Sequence, residues 1–329
     1  MERNYLLLTD KFNAAVIVAL LCLVFALGLS VYRSFTAGAQ QIDEDAISLA
    51  ISPQLLELSA NPGDSIDSTF RLTNGSADSI EIEVVARNFL PQGEDGAVEL
   101  TEETTAFSLS QWITVDPEQT TIASRQTADF KMNITVPDNA EPGGHFGSLV
   151  FRTIPPEQAG DVALVSQEIA PVILVKIAGD VDESAEIASF RSLKNIWSNQ
   201  DPIQFETRVL NTGNVHFRPS GQIEIKNIFG NTVERIEIDQ RNVIPDAVRR
   251  VITDWNEPGF RFGRYSASLT VIYGEDNQIL TSETSFTVFP YQTIAPIAAA
   301  VVFIGFMGWR FRERITLALR VLSGKSTGE

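Results

Sequence analysis

The chain has little cysteine and little histidine, which narrows the chemistry open to it. Its 329 residues contain one cysteine, Cys22, and two histidines, His145 and His216. One thiol cannot form an intrachain disulfide, and zinc sites and Cys/His nucleophile pairs need several residues of these types close together. We therefore predict a non-enzymatic protein with no catalytic residue, no metal site and no cofactor, in which both histidines are structural or face solvent.

Positive charge is also scarce. The chain has 25 Lys and Arg against 42 Asp and Glu, a net charge of −17. Such a surface repels nucleic-acid phosphates and anionic lipid headgroups, which argues against nucleic acid as a partner and against peripheral lipid binding. The acid pairs Glu94-Asp95 and Glu102-Glu103 stand in polar, turn-like sequence, and we predict solvated loop acids with ordinary pKa values.

Acidic residues gather midway along the chain, where residues 179–184 read Gly-Asp-Val-Asp-Glu-Ser. Carboxylates and backbone carbonyls of this kind can hold calcium, which prefers hard oxygen ligands. The spacing of an EF-hand loop is missing, however. Calcium binding near Asp180 and Asp182 is therefore left open.

Two long apolar runs, residues 14–32 and 291–309, bracket the rest of the chain. Each has close to the roughly 20 residues that cross a bilayer. The second has no charge, has Tyr291 and Trp309 at its ends, and is followed by a basic cluster of Arg310, Arg312 and Arg314. Interfacial aromatics and a basic flank predict a transmembrane helix at 291–309 with a cytoplasmic tail at 310–329.

The first run allows two interpretations, because residues 1–40 fit either an export signal or an N-terminal membrane anchor. Its length favours an uncleaved anchor, whereas the small residues around Ala39 favour cleavage by signal peptidase. Either interpretation exports the residues that follow. The two are left open.

Between the apolar runs the hydrophobic pattern has a period of two. In residues 130–136, for example, Phe130, Met132 and Ile134 alternate with polar residues, as in a half-buried antiparallel strand. Turn signals follow at short intervals, as in a β-sandwich. We predict a mainly β protein with two tandem immunoglobulin-like sandwiches, at 41–180 and 181–290, flanked by N- and C-terminal membrane helices.

Tryptophans are the best sequence-level candidates for a binding surface, since exposed aromatics often anchor recognition. The candidates are Trp112, Trp197 and Trp255. The competing interpretation is that each fills a sandwich core, as large apolar residues of all-β domains usually do.

Several turn and core motifs resemble the bacterial WxL-interacting surface proteins. In the first half they are Asn-Pro-Gly-Asp-Ser at 61–65, Phe-Arg-Leu-Thr-Asn at 70–74, Trp-Ile at 112–113, the run 135–147 that contains Glu-Pro-Gly-Gly-His, and Leu-Val-Phe at 149–151. In the second half they are residues 211–214, 219–221, 231–233 and 263–265.

The resemblance implies a peptidoglycan-binding type of module first, a partner-binding or host-binding type second and a C-terminal membrane helix. No binding residue of the family can be assigned to a position of this sequence.

Three functions remain in competition. The leading prediction is a bacterial cell-surface adaptor, anchored in the cell membrane with most of its chain outside, that binds peptidoglycan or a surface protein. The alternative is an extracytoplasmic assembly chaperone that adds a β-strand to its client. A cell-wall hydrolase is the third, and no catalytic set supports it.

Overall fold

The computed structural model describes residues 48–155, 166–198, 201–256 and 261–312. The predicted export segment with Cys22 and Ala39 lies outside the described residues, and so does Arg314 in the tail.

The first sandwich consists of two sheets. In the smaller sheet the strand order is β1-β3-β8-β6, and in the larger it is β2-β11-β9-β4-β5, with β10 added to β9 and β7 added to β4. A 3-10 helix, Ser110–Trp112, precedes β6. The strands are β1 (Leu49–Ser52), β2 (Leu55–Ala60), β3 (Ser65–Asn74), β4 (Ile80–Gln92), β5 (Ala97–Thr101), β6 (Ile113–Asp116), β7 (Gln119–Ile122), β8 (Thr127–Thr135), β9 (Gly143–Ile154), β10 (Glu168–Ile169) and β11 (Val172–Ile177).

The alternation in the sequence explains the first core. Phe130, Met132 and Ile134 of β8 are buried between the sheets, as predicted. The run 171–175, apolar on both faces, is predicted to be a central strand. β11 confirms this, because it pairs with β9 on one side and with β2 on the other.

The second sandwich also consists of two sheets, with strand orders β12-β14-β17 and β13-β19-β18-β15-β16. Alternate residues of β14 and β18 are buried, as the period of two predicts. The strands are β12 (Ala185–Ser192), β13 (Ile196–Trp197), β14 (Ile203–Asn211), β15 (Ser220–Asn227), β16 (Thr232–Glu237), β17 (Val248–Trp255), β18 (Gly263–Tyr273) and β19 (Gln278–Val288).

Each sandwich contains a buried asparagine with the same set of bonds. Asn74 ends β3, its Nδ2 donates to the carbonyl of Asp78 four residues on, and its Oδ1 accepts from the amide of Ser76 two residues on. Asn211 ends β14 and repeats this pattern with Val215 and Gly213. Both side-chain amides also donate to a carbonyl of a second loop, that of Ala123 for Asn74 and that of Val243 for Asn211. In both sandwiches, therefore, a buried asparagine holds the loops at one end with the same pattern of hydrogen bonds.

The C-terminal apolar run forms helix α1, Tyr291–Arg310, directly after Pro290. Among the described residues, no helix has both the length and the hydropathy needed to cross a membrane. The prediction of a mainly β, two-layered fold is confirmed, whereas membrane crossing at 291–309 stays a prediction.

Candidate binding cleft at the junction of the two sandwiches

The outer face of the larger sheet of the first sandwich contacts loops of the second. Phe89, Phe146 and Leu174 form an apolar cluster on this face, and Ile244 of the second sandwich packs against it. The ring of Phe146 also meets His216 edge to face, with centroids 5.6 Å apart. The junction thus has a small hydrophobic centre.

Glycines allow the two backbones to approach closely. Gly143 has a positive φ of 123°, and a Cβ there would lie 2.6 Å from the carbonyl oxygen of Asn214. The amide of Gly144 donates to that same oxygen at 2.8 Å. A side chain at Gly143 would therefore be strained and would also push the sandwiches apart.

An acidic hairpin turn between β4 and β5 docks on the edge of the second sandwich. Glu94 accepts two hydrogen bonds from Arg208, and Asp95 accepts two from Arg250, at 2.9 and 2.8 Å. Arg208 and Arg250 face each other on β14 and β17, so without the turn two like charges would be opposed. The amide of Arg250 also donates to the Glu94 carbonyl at 2.8 Å.

These contacts correct the prediction for Glu94 and Asp95. The hydrogen bonds from Arg208 lower the pKa of Glu94, and those from Arg250 lower the pKa of Asp95. Because both pKa values are lower in the folded state, the bridges are complete above the ordinary carboxyl pKa of about 4 and are lost as the pH falls through the lowered values. Both acids lie in a loop, as predicted, and Asp95 is largely exposed, but the pair is ion-paired across the junction and its pKa values are not ordinary.

We expect Glu94→Gln/Asp95→Asn to loosen the junction, since Arg208 and Arg250 would oppose each other with Glu206, 4.0 Å from Arg250 and shared with Arg191, as their remaining counter-charge among the described residues. Hydrogen exchange should accelerate at the Arg250 amide, and solution scattering should report a larger radius of gyration. Glu102→Gln/Glu103→Gln, the matched acid pair of the same sandwich, should change neither quantity. An equal response of the two double variants would contradict this role.

Acidic residues on another side of the junction are also engaged. Lys176 of β11 donates to Glu183 at 3.1 Å and to Glu275 at 2.6 Å. Asp182 Oδ1 accepts from Ser184 at 2.5 Å. Within the described parts of the chain, no group of three or more potential metal-ligating side chains gathers, at Asp180 or elsewhere.

Both histidines lie beside the junction. Nε2 of His145 is 2.9 Å from the carbonyl of Glu141, and its ring packs on Trp112 with centroids 4.4 Å apart. Burial lowers the pKa of His216 to about 4, so its imidazole is neutral at pH 7. Its Nδ1 is buried without a hydrogen-bond partner. These positions agree with the structural role predicted for both.

An open cleft of about 500 Å³ lies beside the hydrophobic centre. Apolar residues of both sandwiches line its floor, and arginines stand at its wall and rim. The floor includes Leu55, Phe89, Val98, Leu174, Ile244 and Val248, and the arginines are Arg218, Arg241 and Arg249.

Arg249 differs from the other two arginines of the cleft. Arg218 is paired with Glu57 and Arg241 with Asp239, whereas Arg249 has no ion pair with a carboxylate of the described residues. Its Nε and Nη2 instead donate to the carbonyl of Asn242 at 2.9 and 2.7 Å. Burial lowers its pKa. The carboxylate of Asp95 also lines the cleft and attracts Arg249, but its hydrogen bonds are taken by Arg250. A half-buried cation whose own hydrogen bonds go to a carbonyl, beside an apolar floor, is suited to receive a further carboxylate.

The tryptophans predicted as binding residues lie elsewhere. Trp197 and Trp255 are buried in the second core, so neither offers a ring face to a ligand. Trp112 is half-buried against the first core. Tyr291, Trp309 and Arg310 lie on α1, and Arg312 follows it.

The cleft and its arginines are not among the sites predicted from the sequence. The sequence holds one hint of this contact: the acidic turn at 93–96 is opposite in charge to the Arg249-Arg250 pair. Many other acidic turns of the chain would match that pair equally well.

No family model matches the chain, and no curated protein matches it. Among solved structures it is similar to the class 5 fimbriae chaperone CfaA, with 13% identity over 72% of this chain and 99% of that one and a TM-score of 0.39. A chain from a chaperone–tip adhesin complex of CFA/I fimbriae gives 14% identity, 72% and 98% coverage and a TM-score of 0.38. The E. coli chaperone DraB has 13% identity over 74% of this chain and 97% of that one, with a TM-score of 0.33.

Proposed function

We propose that the chain is a membrane-attached, extracytoplasmic binding protein that holds a segment of a partner protein in the cleft between its sandwiches. The observation behind this proposal is the pairing of an apolar floor with Arg249, a half-buried cation that lacks a carboxylate partner among the described residues. The segment would combine apolar side chains with a carboxylate.

A fixed junction supports this role, since a preorganised cleft loses less entropy when it binds. Two bidentate arginine–carboxylate pairs clamp the acidic turn to the second sandwich, at Glu94 with Arg208 and at Asp95 with Arg250. Binding of wall peptidoglycan and membership of the WxL-interacting family stay predictions from the sequence.

The exposed side chains of α1 support membrane attachment. The four consecutive residues Val301, Val302, Phe303 and Ile304 point in four directions around the helix, and each is more than half exposed. An apolar helix without a polar face is typical of a lipid environment or a large protein core. We propose that α1 attaches the sandwiches to a bilayer.

Photo-crosslinking in cells tests the cleft. A photoreactive phenylalanine analogue in place of Leu55, which lies on the cleft floor, should form an adduct with a protein. Adding Arg249→Gln should abolish the adduct, because glutamine can still donate to the Asn242 carbonyl but carries no charge. The same analogue at Thr69, on the opposite sheet, is the matched control.

The proposal fails if Leu55 gives no adduct, if its adduct is glycan, or if Arg249→Gln leaves it unchanged while the fold is intact by circular dichroism.

The geometry of β2 favours a second candidate, the assembly chaperone. Among the described strands β2 pairs with β11 alone, so its other edge is open, and Leu55 at its start lines the cleft. The carbonyls of Gln54 and Ala60 accept from amides at either end of β11, so by alternation the Ser59 amide points away from the sheet. A client strand could add at this edge.

Ser59→Pro separates the two candidates, because proline removes an outward amide and is tolerated on an edge strand. Strand addition predicts loss of the Leu55 adduct in this variant. Capture by the cleft alone predicts an unchanged adduct.

A further inference from the structure

The end of the second sandwich opposite the junction exposes a contiguous apolar surface. Phe229, at the tip of the β15–β16 hairpin, is 82% exposed. We call this surface the basal patch, and its members are Ile196, Ile228, Phe229, Phe262, Phe289 and Tyr291.

Short contacts bring these residues together. The rings of Phe262 and Phe289 have centroids 6.1 Å apart. A Cβ on Gly263 would lie 3.6 Å from Cγ2 of Ile228, and the Phe289 amide donates to the carbonyl of Trp197, the neighbour of Ile196. Monomeric soluble proteins rarely expose large contiguous patches of this kind without a partner.

The patch is continuous with the apolar helix. Phe289 and Tyr291 belong to the patch, and Tyr291 is also the first residue of α1, so no linker separates the two apolar surfaces. Aromatic residues at such a position favour the boundary between headgroups and acyl chains. The sandwich therefore exposes its aromatic residues at the point where α1 would enter a bilayer.

The charge beside the patch differs from that of the whole chain. Arg264, next to Gly263, donates to Ser285 and has no carboxylate within ion-pair distance among the described residues. Lys194 lies over Trp197, with 4.8 Å between Nζ and the ring centroid, and its charge is balanced by Asp201 at 3.7 Å. Arg264 thus adds unpaired positive charge beside the patch, which reduces there the repulsion from headgroups that the net charge of −17 predicts.

We propose that the basal patch sits in the surface of the lipid bilayer and holds the second sandwich directly against it. Aromatic and aliphatic side chains at such an interface insert about 5–10 Å, to the boundary between headgroups and acyl chains. This inference rests on the proposed membrane attachment through α1 and adds a second, independent lipid contact, made by the sandwich itself.

The test uses the full chain in phosphatidylcholine vesicles, with Cys22→Ser removing the one native thiol. An environment-sensitive fluorophore is attached at Phe229→Cys in the patch, at Asp276→Cys in the turn at the opposite end, or at Val302→Cys in α1. Quencher groups are carried on the lipid acyl chains. We expect blue-shifted, quenched emission at positions 229 and 302 and neither effect at position 276.

A second variant checks that the patch acts as a unit. With the fluorophore at Phe262→Cys, the added substitutions Ile228→Glu and Phe229→Glu should remove the quenching.

Quenching at 302 without quenching at 229 would overturn the basal contact and leave the attachment by α1 intact. Absence of quenching at both positions would overturn the contact and the attachment together. A blue shift at position 229 that grows with the number of protein molecules per vesicle, without quenching by the lipid-borne groups, would assign the patch to a second copy of the chain. That result would overturn the lipid contact.

Discussion

Asn211→Ala is expected to lower the free energy of unfolding of the second sandwich by about 3 kcal/mol or more. The Asn211 side chain donates to the carbonyls of Val215 and Val243, both at 2.8 Å, and accepts from the Gly213 amide at 2.9 Å. Alanine removes these three hydrogen bonds, each worth about 1 kcal/mol net, and it leaves the buried Val215 carbonyl without a partner. The Val243 carbonyl still accepts from the Phe217 amide, and the Gly213 amide still donates to the Ser184 carbonyl. Urea unfolding followed by circular dichroism measures the loss.

Asn74→Ala should cost a similar amount in the first sandwich, because Asn74 makes the same bonds there. Asn133→Ala is the control, since that side chain bonds Ser65 and Asp67 on the outer face of the sheet. The control should cost only about 0.5 kcal/mol, the usual range for a surface site. Equal losses in all three variants would show that burial of the two amides is unimportant.

Trp255→Ala is expected to cost about 3–5 kcal/mol, the range for deleting a fully buried aromatic side chain. The indole of Trp255 packs edge to face on Tyr265 and Phe286, with centroids 5.6 and 6.2 Å apart. Because the residue is 1% exposed, its loss should appear as reduced stability. Thermal unfolding measures the effect.

Phe229→Ala is the matched aromatic control in the same sandwich and should change stability by no more than about 0.5 kcal/mol. A Trp255→Ala variant with wild-type stability and reduced adduct formation at Leu55 would return Trp255 to the role of a binding residue.

Much of the fold follows from local pattern. The alternation through Phe130, Met132 and Ile134 predicts which face of β8 is buried, because side chains of a strand point to opposite sides in turn. A strand that ends in an asparagine followed by a glycine turn occurs twice, as Asn74-Gly75 and as Asn211-Thr-Gly213. Because turn chemistry is local, this repeat points to two similar sandwiches.

The cleft does not follow from local pattern. Glu94 and Arg208 are 114 residues apart, and only the relative placement of two sandwiches makes them partners. Trp197 shows the same limit: its polar neighbours suggest an exposed turn, yet its indole N–H donates to Ser192 inside the core at 2.7 Å. The partner of Glu94 and the burial of Trp197 both depend on packing between residues that are not neighbours in the local pattern.

The length of one strand sets the position of the cleft. β18 runs for eleven residues from Gly263, beside the basal patch, to Tyr273, which packs on Phe217 at the junction end. At about 3.4 Å per residue this strand covers roughly 35 Å. If the patch lies on a bilayer, the cleft is held at up to that height, and a stalk of about ten extended residues is then long enough for a partner rooted in the same membrane to reach it.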